Sequence, residues 1–230
     1  MRLATGILLI VLPIAFNVAF AALAARFSYP DILRRPTAEI LERFRAGGSS
    51  LVLLWWGFAM TAVLLAPAAV LVAGALAGAD ATLVATGLVV GVLAGAVQFL
   101  GLVRWPFLVP FLARESADAE ASPARREAID LVFQSFNRYL GIAVGEHLGY
   151  LFSGAWTILV GVAIMQSAAV PWWIGLIGIL VGAVLALCSF EFVGGFEEHG
   201  WRLAGAVTPF AYIAWSVWLV GTGVAFLFPV

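Results

Sequence analysis

The chain has no lysine, one cysteine and two histidines. It is also poor in charge of either sign. Charged residues make up 11% of its 230 positions, where a soluble domain carries about 25%. A surface that polar-poor cannot be covered in water. A single cysteine, Cys188, excludes an internal disulfide and any cysteine-based zinc or iron–sulfur site. The net charge of −1 offers no electrostatic attraction to nucleic acid, so no nucleic-acid partner is expected. The chain also lacks a nucleophile elbow, a phosphate-binding glycine loop, a dinucleotide fingerprint and a His-Glu-x-x-His zinc motif.

What is present is apolar. Hydrophobic residues fill 63% of the chain, and the mean hydropathy is +1.07. Several apolar runs reach the ~20 residues that a helix needs to cross a bilayer. Lipid offers no partner for backbone N–H and C=O groups, so such runs must be helices. The expected fold is therefore all-α, a polytopic transmembrane bundle forming one domain. Its six spans fall at about 4–25, 50–75, 81–103, 146–167, 172–193 and 203–227. Residues 1–25 have the outline of a signal peptide, but the long apolar run containing Asn17 reads better as a retained first span. Pro13 and Pro67 are candidate kink sites, and Asp80 is placed to cap the third span.

The connections alternate in charge. Segments 26–49 and 104–130 and the link near Arg202 hold almost all the arginines, and the opposite side has only Arg2. By the positive-inside rule the charged connections are cytoplasmic and both termini lie outside a bacterial inner membrane. On that reading Trp55, Trp56, Trp105 and Trp201 mark the inner interface, and Trp172 and Trp173 the outer one. Residues of about 37–46 form a short amphipathic helix ended by Gly47 and Gly48. Its Ile40, Leu41 and Phe44 share one face, expected to lie on the membrane surface. Arg34, Arg35, Arg43 and Arg45 are then near anionic headgroups. Residues 114–127 read as a solvated linker, and 128–145 as a helical extension of the fourth span. Besides the lipid bilayer, a membrane-protein partner or a second copy of the chain is a candidate partner.

Glycines recur every four residues at Gly141, Gly145 and Gly149, and again at Gly87, Gly91 and Gly95. This spacing lets helix backbones approach closely, so both sets are expected at helix contacts. Trp156, Trp215 and Trp218, inside spans, are read as packing or lipid-facing residues.

Polar residues inside the spans gather toward the arginine-rich side. They are Asn17, Gln98, Glu146, His147 and Glu191, with Glu198 and His199 just beyond. An ionisable group within a span is a functional-site candidate by default. These seven are the candidate ligand-binding residues of a polar site open to the cytoplasm. His147, His199 and Glu198 are weak candidates for a metal, because their spacing matches no ligand motif. No cofactor is expected. The favoured function is non-enzymatic binding of a partner or a small amphipathic ligand. The alternatives are a metal-assisted enzyme acting on a lipid or isoprenoid, and a small proton-coupled transporter.

Three stretches carry a family likeness: 16–48, 102–113 and 132–161. Their most specific elements are Tyr-Pro-Asp-Ile-Leu at 29–33 and Glu-His-Leu-Gly-Tyr at 146–150. Together they resemble a family of bacterial integral membrane proteins of six or seven helices catalogued as a domain of unknown function. The resemblance covers most of the chain to about residue 165, and the last two spans are generic beside it. It implies the membrane class and a retained first helix. It implies no activity, but marks 29–33 and 146–150 as candidates for a shared role.

Overall fold

A computed structural model describes residues 1–228. Eight α-helices are joined by short connections, with no strand among the described residues. They are α1 (Arg2–Phe27), α2 (Thr37–Val63), α3 (Leu65–Ala75), α4 (Ala81–Ser116), α5 (Pro123–Phe136), α6 (Gly149–Gln166), α7 (Trp172–Cys188) and α8 (Arg202–Leu227). Between α5 and α6, residues Asn137–Leu148 wind as a π-helix. Six stretches of helix are long and apolar enough to cross a membrane. The chain is thus an all-α bundle of six spans, with α2–α3 forming the second and α5, the π segment and α6 forming the fourth.

Each span packs against its neighbours in sequence, and α1 packs against α8, so the six close into a ring. Glycines set the closest approaches. A methyl group on Gly6 would lie 2.7 Å from the Gly223 carbonyl oxygen, and one on Gly161 would lie 2.6 Å from that of Gly175. Gly154 and Gly182 oppose each other in the same way. The heptad step from Gly154 to Gly161, matched by Gly175 to Gly182, is the spacing at which two helices stay in register.

Several boundaries differ from the sequence reading. The expected surface helix is the first part of α2, joined to the span at Gly48 with φ 58° and ψ −157°. Only glycine adopts that conformation without strain. Its apolar face is not on the membrane surface. Ile40, Leu41 and Phe44 are buried, with Phe44 against Phe27 and Trp105. The partner exists because α4 runs on to Ser116, for 36 residues or about 54 Å. That exceeds the ~30 Å hydrocarbon core. The linker expected over 114–127 shrinks to 117–122, because Ser122 caps α5 and Pro123 opens it. Arg125 pairs with Glu115 and Asp118 across this turn. Residues 128–145 continue into the fourth span without a break.

The second span breaks at Leu64, between α2 and α3. Pro67 accounts for it, since its ring excludes a regular bond to the carbonyl of Val63. α1 passes through Pro13 unbroken. Asp80 caps α4, its carboxylate accepting from the Leu83 N–H at 2.8 Å.

Two of the expected interface tryptophans are core. Trp55 and Trp105 are fully buried and stack with ring centroids 4.3 Å apart and planes 9° apart. Phe44 of the docked α2 start stacks on Trp105, and Phe27 stands edge-on to both indoles. Trp56, Trp172 and Trp173 are exposed. Trp156, Trp215 and Trp218 pack in the core of the opposite half.

Candidate functional site

The polar cluster is built on the π segment. Gly141 leaves room for the Arg104 guanidinium, since a methyl there would lie 2.6 Å from its Nη2. Gly145 admits the α4 backbone, with Gly101 Cα 3.1 Å from where a methyl would stand. Gly149 faces the Gln98 side chain. This stripe therefore meets α4 at Gln98, Gly101 and Arg104, one turn along from Gly91 and Gly95. Those two glycines admit Ala69, Trp156 and the Ala62 carbonyl. Arg104 donates to the Gly101 carbonyl and, at 3.0 Å, to Asn137 Oδ1.

The neighbouring stripe of the same helix carries Arg138, Ile142, Glu146 and Tyr150. With Ala143 and His147 it lines a cavity of about 300 Å³. The far wall is the end of α7 and the turn beyond it: Cys188, Ser189, Glu191, Phe192, Val193 and Glu197. His147 Nδ1 lies 2.7 Å from the Ser189 carbonyl oxygen. A carbonyl only accepts, so Nδ1 carries the proton and, in the neutral ring, Nε2 is left as the acceptor. Gly205 of α8 makes space for the Glu191 carboxylate, whose Oε1 is 2.7 Å from the methyl position there. The Glu191 carbonyl accepts from the Trp201 N–H at 2.6 Å. Arg138 pairs with Glu197 at the cavity edge.

Of the sequence candidates, Glu146, His147 and Glu191 share this cavity. The others lie elsewhere. Glu198 and His199 are highly exposed and face each other at 3.8 Å. Gln98 donates to Ser153 Oγ at 2.8 Å. Asn17 donates to the Pro13 carbonyl and to Ser216 Oγ, at 2.7 and 3.0 Å. Both act as cross-links between spans. No three of His, Cys, Asp and Glu come together to hold a metal ion among the described residues. The five ion pairs among them include neither Glu146 nor Glu191.

Cavity residues absent from the candidate set include Arg138, Tyr150, Cys188, Ser189 and Glu197. Arg138 and Tyr150 had a signal, since they lie eight before and four after Glu146, on one helical face. The far-wall residues had none, because a short turn brings them in.

Tyr29, at the start of the first quoted motif, lies near the same cluster. Burial pushes its phenol up to about 12, the Glu146 carboxylate adds to this, and Arg104 acts against it. Tyr29 packs edge-on against Trp55 at 5.0 Å and Phe20 at 5.6 Å. Glu146 of the second motif is thus near enough to Tyr29 of the first to act on its phenol through space.

A ring of six apolar spans, with carboxylates and a histidine facing a cavity at its arginine-rich end, is the frame of an integral membrane protein. The family model described as "Domain of unknown function (DUF4386)" matches residues 4–223. The chain belongs to this family, and the match takes in the last two spans, beyond the stretches in which the sequence showed a likeness. No curated protein and no solved structure matches the chain.

Proposed function

We propose that the protein binds a small amphipathic ligand in the cavity between the π segment and the end of α7. One observation carries this reading. Glu146 and Glu191 face the same half-open cavity from the π segment and from the turn after α7, and neither has an ion pair among the described residues. Structural carboxylates at such a depth are ordinarily paired. The size supports it, since ligand sites begin at about 300 Å³ and combine apolar walls with a few polar groups. Ile142, Tyr150 and Phe192 supply the apolar wall here.

The arginine count supports an orientation with this end in the cytoplasm of a bacterial inner membrane and both termini outside. Arg34, Arg35, Arg43 and Arg45 are exposed at that end and suit anionic headgroups.

The test is native mass spectrometry of protein extracted from its own membranes in mild detergent. A small molecule should co-purify with the wild type and be lost from Ala143→Trp, which fills the cavity from an exposed position. Equal retention by the variant would contradict the reading.

A further inference from the structure

The charges around the cavity are unequal. Three carboxylates, Glu146, Glu191 and Glu197, line it with one arginine, Arg138, and that arginine is spent on Glu197. Arg104 stands behind the wall, with its guanidinium committed to the Gly101 carbonyl and Asn137. Neither Glu146 nor Glu191 takes part in any side-chain hydrogen bond or ion pair among the described residues. Two aromatic rings stand in the wall and two more stand behind it. Tyr150 and Phe192 line the space, Tyr212 stands edge-on to Tyr150 at 5.2 Å, and Phe190 lies 6.2 Å from the His147 ring.

These features select a charge class. Arg104 acts on Glu146 and Arg34 on Glu191 through space, but neither arginine is paired with its carboxylate. In a medium of low dielectric a cationic head stabilises the ionised form of such a carboxylate where an anionic head opposes it. Aromatic rings add to that preference, because their faces are electron-rich and bind organic ammonium groups without asking them to give up hydrogen bonds. We propose that the ligand is an organic ammonium ion, its head between Glu146 and Glu191 and its apolar part against Ile142, Tyr150 and Phe192. The proposal rests on the binding reading above and adds the ligand's charge and class to it.

Cys188 lines the cavity and is the single cysteine of the chain, so it reports on occupancy. The protein in lipid nanodiscs is treated with methyl methanethiosulfonate, and the modification rate is followed by mass spectrometry. Three probes of similar shape compete: benzyltrimethylammonium, the uncharged isostere neopentylbenzene, and benzylsulfonate. A second reporter, Ala143→Cys with Cys188→Ser, serves where the buried Cys188 reacts too slowly.

The ammonium should slow modification in a saturable way. The neutral isostere should need roughly tenfold more for the same effect, and the sulfonate should give no protection. In Glu146→Gln with Glu191→Gln the ammonium should lose its advantage. Unequal fates separate the two claims. If the neutral or anionic probe protects as well as the cation, the charge assignment is wrong and ligand binding stands. If none protects either reporter, both fail. An ammonium preference that survives the double substitution also overturns the assignment. Should the double variant not fold, the ranking of the three probes on the wild type decides the matter alone.

Discussion

Arg104 holds the polar end of the ring together from a single position. Its two donor nitrogens reach the Gly101 carbonyl on its own helix and Asn137 on the π segment, and its guanidinium lies 5.4 Å from the Trp105 ring. Replacing it with methionine leaves Asn137 without its recorded partner and removes a cation that acts on Glu146. The expected cost is about 2–4 kcal/mol, read as a lower unfolding midpoint in detergent. Lysine should not restore it, because one ammonium cannot span both acceptors as a planar fork does. Tyr29 gives a prediction in pH. Its folded pKa, about 12, lies above the ordinary 10.0, so the unfolded chain loses that proton first. Stability is full below pH 10 and falls as pH rises from 10 to 12. Tyr29→Phe should flatten this part of a thermal-unfolding profile relative to wild type; an unchanged slope would show that Tyr29 is not the group responsible.

At the level of helices, glycine placement decides which contacts form. Gly145→Leu should separate the π segment from α4, because the Gly101 backbone occupies the space a side chain would need. Loss of monodisperse protein on size exclusion is the expected result. Gly57 is the matched control, since a methyl there meets nothing within 4 Å. Gly57→Ala should be neutral or stabilising by up to about 1 kcal/mol. The four-residue glycine spacing was legible in the sequence, and so were the six spans, because length and hydropathy act locally. What each glycine meets was not legible. Gly141 serves an arginine side chain, Gly145 a backbone and Gly149 a glutamine, and the three partners lie about 37 to 51 residues away. The heptad pair Gly154/Gly161 with Gly175/Gly182 was hidden in the same way, because it shows only when two helices are aligned. The end of α4 was misread for a related reason. Charged residues from Arg114 onward look solvated, yet a helix leaving the bilayer keeps its hydrogen bonds and needs no apolar surface to continue.

For the molecule as a whole, the arrangement concentrates ionisable groups at one end and leaves the other half to tryptophan, leucine and small residues. The candidate site was half legible: Glu146, His147 and Glu191 stood out as costly groups in apolar runs. Glu198 and His199 stood out equally and lie in open solvent, because sequence cannot tell on which side of a turn a side chain falls. The orientation makes its own prediction. A cysteine at Glu120, in the 117–122 turn and with Cys188→Ser, should react with an impermeant maleimide only after the inner membrane is opened. Labelling in intact spheroplasts would reverse the assignment.

Whether the space between Glu146 and Glu191 holds a ligand or is a packing defect decides the reading of this end of the bundle. An experimental density map of the protein in a native lipid extract tests it most directly. A bound ligand should appear as non-protein density beside both carboxylates and against Tyr150 and Phe192. A map in which the two carboxylates close on each other or on Arg138, with the cavity filled by side chains, would contradict it.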